Sequence, residues 1–150
     1  MVQIMFENFG VPSICIATDA ILSLYAADKR TGVVVDSGYD TTNIVPIYEG
    51  CTIFSAIQRM NIGGNDLTKW LIQILSERGL PFETTAEREL VRDIKEKLCY
   101  VAPEYNQEYY DHFYQTYSEK LYGFPSGDTL TIGTERFRCP EALFSPNWQE

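Results

Sequence analysis

An acidic turn between two apolar runs is the first place where this chain offers chemistry. Gly32-Val-Val-Val-Asp36-Ser-Gly38 leads through Tyr39-Asp-Thr-Thr-Asn43 into Ile44-Val-Pro-Ile-Tyr48. The consecutive β-branched residues Val33, Val34 and Val35 predict a strand buried on both faces. Asp36-Ser37-Gly38 predicts a turn in which Gly38 takes a positive φ. Successive backbone N–H groups on one side of such a turn suit a phosphate oxyanion. The Asp36 carboxylate beside it has the chemistry to hold the waters of a magnesium ion. Taken alone, the same pattern describes an ordinary β-hairpin, the commoner outcome for an acidic turn.

Other chemistry-bearing residues are sparse. Cys15, Cys51, Cys99 and Cys139 are widely spaced and form no C-x-x-C pair, which argues against a zinc site. His112 has no Cys or His near it in sequence and reads as a surface histidine. A net charge of −9, from 12 Lys and Arg against 21 Asp and Glu, argues against nucleic acid, whose phosphates require a basic excess. An acidic surface fits basic protein partners instead. No stretch approaches the roughly 18 uninterrupted apolar residues of a membrane span. The start, Met1-Val-Gln-Ile-Met-Phe-Glu7, lacks the basic and apolar regions of a secretory signal. With 150 residues, 45% of them hydrophobic, the chain has the material for one globular core.

The elements that must position these groups follow from periodicity. Ser13–Ala17 reads as a short buried strand. Thr18 is an N-cap for a helix through Ala27 with Ile21, Leu22, Leu24 and Tyr25 on its apolar face. A short helical stretch is expected from Phe54 to Met60. Leu67, Trp70, Leu71, Ile74 and Leu75 recur at helical steps over Asn65–Arg78, which Gly79 and Pro81 terminate. Thr84 and Glu87 form a capping box for a helix lined by Leu90, Val91, Ile94 and Leu98, with Asp93 and Lys97 as an exposed pair. Tyr105, Tyr109, Phe113 and Tyr117 fall at steps of four and describe an aromatic stripe. Gly133-Thr134 reads as a two-residue hairpin turn between Thr129–Ile132 and Glu135–Arg138. Trp148 adds a large apolar group near the end.

Several longer motifs stand in order along the chain: Gln3-Ile-Met-Phe-Glu7, Leu22-Ser-Leu-Tyr-Ala26, Val35-Asp-Ser-Gly38, Val45-Pro-Ile-Tyr-Glu-Gly50 and Leu75-Ser-Glu-Arg-Gly79. Thr84-Thr-Ala-Glu-Arg-Glu-Leu-Val-Arg-Asp-Ile-Lys-Glu-Lys-Leu-Cys-Tyr100 and Gly133-Thr-Glu-Arg-Phe-Arg-Cys-Pro140 complete the series. Together they resemble the actin family, actin itself or a divergent actin-related protein, over its central segment. The resemblance implies an α/β fold, a partial actin-like (ribonuclease H-like) ATPase lobe incomplete at both ends. It implies one domain, with the second phosphate hairpin at about 30–50 and a helical nucleotide-lobe portion at about 61–150. The family's first phosphate hairpin, its adenosine-holding Gly-rich loop and its subunit-gripping tip loop have no counterpart. Cys99 and Cys139 lie within the shared motifs, consistent with reduced cytosolic thiols.

By resemblance the cofactor is ATP with Mg2+ or Ca2+. Asp36 matches the carboxylate that holds metal-bound waters and orders the attacking water, and Gly38, Tyr39, Asp40 and Thr41 match the phosphate hairpin. The family has Asp-Gly-Val at the last three positions, so Asp40 sets a β-carbon and a negative charge where the phosphate should be cradled. Asp19 replaces the glutamine that positions the attacking water, and Asn43 replaces a histidine of the same site. These departures imply that the chain alone does not hydrolyse ATP. Gly64, Arg92, Lys95 and Glu96 match the residues against adenine and ribose. Tyr25, Tyr48, Thr84 and Glu87 match filament contacts, whereas Cys51 replaces a tyrosine and Asp28 a glycine there. The implied role is a cytoplasmic, cytoskeletal filament subunit or a segment of one, partnered by actin-like subunits or actin-binding proteins. The alternative is a truncated interaction module that regulates those proteins without hydrolysis.

Overall fold

The structure is a computed structural model that describes residues 1–114 and 119–145. Tyr117, Trp148 and the side chain of Phe113 lie outside the described residues, and with them part of the expected aromatic stripe. The chain divides into two compact units, one of residues 1–38 and 42–60, the other of 39–41 and 61–150.

The first unit opens with α1 (Val2–Glu7) and α2 (Asp19–Ala26). Its sheet holds β1 (Gly32–Ser37), β2 (Thr42–Tyr48), β3 (Cys51–Thr52) and β4 (Gln58–Met60). β2 is central. It pairs antiparallel with β1 in a register that sets Asp36 opposite Asn43 and Val34 opposite Val45. β3 and β4 both pair with β2 as well, at Ile47–Tyr48 and Thr42–Ile44 respectively. Ala20 and Leu24 of α2 bury against Ile47, with Ile21, Val34 and Val45 packed around them.

Four expectations change here. β1 is not buried on both faces: Val34 turns to the small core, but Val33 and Val35 are 62% and 63% exposed. The alternation of side chains along a strand sends neighbours to opposite faces, and only one face of β1 is covered. Ser13–Ala17 forms no strand and is largely exposed, because no strand among the described residues offers it a ladder. Only Phe54–Ala56 is helical, as a single 3-10 turn, since the backbone of 58–60 is taken by the ladder to β2. Asp36 and Ser37 end β1 instead of forming the expected turn, and Gly38 is not among the left-handed glycines of the described residues, which are Gly10, Gly50, Gly79 and Gly127.

The second unit contains α3 (Gly64–Glu77), α4 (Thr85–Leu98), α5 (Tyr105–Tyr114), the hairpin β5 (Lys120–Gly123) with β6 (Thr129–Ile132), and α6 (Glu135–Glu141). Leu71 and Leu75 of α3, Val91 and Ile94 of α4, Ile132 of β6 and Cys139 of α6 form its core. The helical periodicity of the sequence names most of these directly. Thr84 and Glu87 make the capping box: Glu87 N–H donates to Thr84 Oγ1 at 3.3 Å and Thr84 N–H to Glu87 Oε2 at 2.8 Å. Asp93 and Lys97 pair at 2.7 Å.

The hairpin expected across Gly133-Thr134 is overturned. β6 pairs backward with β5, around a turn where Gly127 sits at φ +96° and Phe124 N–H bonds Asp128 O at 2.8 Å. Glu135 is the first residue of α6, after the N-cap Thr134, and its carboxylate accepts the Gly133 N–H at 2.8 Å, which fixes the chain into the helix in place of a hairpin turn. Arg78 pairs with the other Glu135 oxygen at 2.9 Å. Burial opposes the Glu135 charge, but the N–H groups of Glu135 and Gly133 and the Arg78 cation outweigh it and hold the carboxyl below its ordinary range. His112 is half-buried rather than a surface residue, with its ring within 3.1 Å of where a Cβ on Gly133 would stand.

Candidate functional site

The residues of the expected nucleotide wall assemble in the second unit, at the amino end of α3. Gly63 enters this end in an extended conformation, φ −157°, and is buried. A Cβ there would stand 2.5 Å from the carbonyl oxygen of Tyr39, so only glycine lets the hairpin tip come this close. The tip is held by the same helix end. Asn65 N–H donates to Tyr39 O at 2.8 Å, the Tyr39 hydroxyl to Asn65 Oδ1 at 3.3 Å, and Asn65 Nδ2 to Asp40 Oδ1 at 3.3 Å.

Lys95 reaches across from α4. Its Nζ donates to Gly64 O at 2.6 Å and to Thr68 Oγ1 at 3.1 Å, and the Thr68 hydroxyl donates to Gly64 O at 2.9 Å. Both Lys95 partners are neutral, and no carboxylate among the described residues pairs with it. A half-buried cation is therefore fixed in place with its charge uncompensated. Arg92 and Glu96 behave differently. Arg92 pairs with Glu89 at 2.8 Å and with Glu96 at 3.8 Å on the solvated side of α4, where such pairs add little stability. A cleft of about 190 Å3 opens beside Tyr39, between α3 and α4, with Thr68, Arg88 and Arg92 on its walls.

These residues fit the purine and ribose end of a nucleotide better than its phosphates. Gly64 O and Thr68 Oγ1 are bonded to Lys95 and to each other, so the groups left to meet a nucleoside are the remaining ammonium N–H of Lys95 and the exposed carboxylate of Glu96. At the hairpin tip, Asp40 presents a negative charge and Tyr39 a bulky ring, and both side chains are engaged with Asn65. A phosphate brought to that tip meets like charge.

The remaining candidates belong to the first unit. Asp36 is exposed near the end of β1, opposite Asn43. Asp19 is the first residue of α2, where its Oδ1 accepts the Ala20 N–H at 2.8 Å, a local capping role. Tyr25 and Tyr48 are 49% and 62% exposed. Tyr25 lines an open cleft of about 440 Å3 with Asp28, Lys29, Arg30 and Glu49. Asp28 at φ +54° and Glu49 at φ +49° both hold left-handed backbone there.

Sequence reasoning named Gly64 and Lys95 as candidates and did not name Gly63, Asn65 or Thr68, which the structure sets beside them. The Gly63-Gly64 doublet ahead of a helix was the available signal, since a close backbone approach demands glycine. The order of the shared motifs and the mixed helix and sheet architecture agree with one family. The family model for actin matches residues 1–150, and the chain belongs to the actin family.

Proposed function

We propose that this chain is an actin-like cytoskeletal element of the cytoplasm. It would supply the purine wall of an ATP site from an actin-like (ribonuclease H-like) lobe and contact other actin-like subunits or actin-binding proteins. The observation that carries the nucleotide reading is Lys95, pinned on Gly64 O and Thr68 Oγ1 with no carboxylate partner among the described residues. Glu96 on the same helix supports it as a ribose acceptor, and Tyr25 and Tyr48 support subunit contacts by their exposure. Asp40 and Tyr39 at the hairpin tip argue that phosphate recognition is weak, and Asp19 in place of glutamine that hydrolysis is absent. Asp36 keeps the carboxylate that would hold the waters of Mg2+ or Ca2+.

Calorimetric titration with adenosine and with MgATP tests this. The two ligands should bind within about threefold of each other, because the phosphates gain little. Lys95→Ala should weaken both, and Asp40→Gly should strengthen MgATP alone. MgATP binding about a hundredfold tighter than adenosine, or indifference of both ligands to Lys95→Ala, would sink the reading.

A further inference from the structure

The aromatic residues of α5 border a cleft that the nucleotide wall does not use. Tyr105 and Tyr109, four residues apart, stack with ring centroids 6.1 Å apart, and the Tyr105 ring stands edge-on to Phe137 of α6 at 5.7 Å. That packing fixes Tyr105 as one wall of a cleft of about 500 Å3 between α3, α5 and α6, a volume within the range of ligand pockets. Trp70 of α3 lines the same cleft, and its indole N–H donates to Arg138 O at 3.4 Å, so α6 holds the ring in place. Asn106, Arg138 and Glu141 supply polar groups to the walls.

The charges on these walls do not balance. Arg138 and Glu141 lie three residues apart on α6, a spacing that permits an ion pair. The Arg138 guanidinium pairs instead with Glu77, the last residue of α3, at 3.3 Å. Glu141 is left half-buried, with no cation paired to its carboxylate among the described residues. With Arg138 matched by Glu77, the charge remaining in the cleft is the Glu141 carboxylate, beside the Trp70 and Tyr105 rings. A carboxylate next to aromatic rings suits an ammonium or a guanidinium: the ring quadrupoles attract the cation, and the carboxylate accepts its N–H groups. A second cleft of about 650 Å3 shares Tyr105, Asn106 and Arg138 with the first and is walled by Glu77, Tyr109 and the exposed Tyr110. The two together offer room for a stretch of polypeptide on either side of the cation. The excess of 21 acidic over 12 basic residues favours a basic partner as well.

We propose that this cleft receives a lysine or arginine side chain presented by a basic segment of a partner protein. Glu141 is its counter-ion, and Trp70 and Tyr105 are its aromatic walls. The site shares no residue with the Lys95 wall and stands or falls apart from nucleotide binding.

The test is a nuclear magnetic resonance titration of the full chain carrying Trp148→Phe, in which Trp70 gives the sole tryptophan indole signal. The probes are acetyl-lysine amide, its uncharged analogue acetyl-norleucine amide, butylamine, and capped glycine pentapeptides with a central lysine or arginine. The pentapeptides and acetyl-lysine amide should shift the Trp70 signal saturably, with acetyl-norleucine amide about tenfold weaker. Glu141→Gln should weaken the charged probes about fivefold and leave the norleucine probe unchanged. Tyr105→Leu should weaken the charged probes about threefold. Norleucine and lysine probes of equal affinity, or charged probes indifferent to Glu141→Gln, would overturn the proposal. Butylamine binding as tightly as the lysine pentapeptide would make this a site for free amines and overturn the partner reading. Should Glu141→Gln fold poorly, the contrast of lysine with norleucine on the Trp148→Phe chain decides.

Discussion

Gly63 and Tyr39 approach each other so closely that no side chain fits between them. The nearest backbone atom to a Cβ on Gly63 would be the Tyr39 carbonyl oxygen at 2.5 Å. The backbone of Gly63 is extended and open to any residue, so the requirement for glycine is one of space alone. Gly63→Ala must push the hairpin tip off the start of α3, at a cost of about 1–3 kcal/mol for overpacking. The Asn65 amide, which donates to Tyr39 O, should lose hydrogen-exchange protection at the same time. An alanine variant of full stability with a protected Asn65 amide would show that the tip is not held there.

Tyr122 of β5 donates its hydroxyl to Asp93 Oδ2 of α4 at 2.6 Å, on the carboxylate that Lys97 already pairs. The bond to Asp93, aided by burial, pushes the Tyr122 hydroxyl up to about 12. A raised folded value means that the contribution is complete below about pH 10, the unfolded value. It is lost as the pH climbs from there through about 12. Asp93 works in the opposite sense. Lys97 first and Tyr122 second hold it low, so its contribution is present above the ordinary carboxylate range and fades as the pH falls. Tyr122→Phe should lower the melting temperature at neutral pH and flatten the alkaline loss relative to the parent chain. Superimposable alkaline limbs would mean that the bond does not form in solution.

The parts of this fold that were legible in the sequence are those decided locally. α3 and α4 follow from apolar spacing and from caps such as Thr84 with Glu87, whose partners lie within one turn. The strands were harder because pairing and cover come from elsewhere. Nothing in Val33-Val34-Val35 tells which face another element covers, and nothing in Ser13–Ala17 tells whether a ladder awaits it. Glu135 shows a local signal defeated by another: Gly133-Thr134 suits a hairpin, but the carboxylate two residues on captures the Gly133 N–H and fixes the chain into a helix. In the candidate site, Lys95 and Gly64 could be named by resemblance. Gly63 against Tyr39, and Asp93 with Tyr122, are long-range meetings that no spacing announces.

The capping box offers a separate acid-side prediction. The backbone N–H of Thr84, then its hydroxyl, lowers the Glu87 carboxyl. A lowered folded value stabilises above the unfolded carboxylate range and is lost as the pH drops through it. Thr84→Ala should cost about 1 kcal/mol at neutral pH. Glu87→Gln should make the folded state less sensitive to acid between about pH 5 and 3. Urea midpoints for the three chains at both ends of that range measure this, and an acid limb that Glu87→Gln leaves unchanged would refute it.

Asp28 closes the turn after α2 at φ +54°, a conformation that costs most side chains about 1–2 kcal/mol and glycine almost nothing. Ala27 before it ends the helix, and Asp28 N–H bonds Tyr25 O at 2.9 Å, so the turn fixes the backbone that carries Tyr25. The glycine that actins carry here has a physical reason in this geometry: the left-handed residue terminates the helix without strain. Asp tolerates that region better than most residues but not as well as glycine. Asp28→Gly should therefore raise the melting temperature, whereas Asp28→Ala should lower it, because alanine keeps the β-carbon and enters the left-handed region less readily than aspartate. Asp28→Gly also removes one negative charge from the cleft shared with Tyr25, Lys29, Arg30 and Glu49. If Asp28→Gly and Asp28→Ala shift the midpoint equally in the same direction, charge and not backbone strain governs this turn.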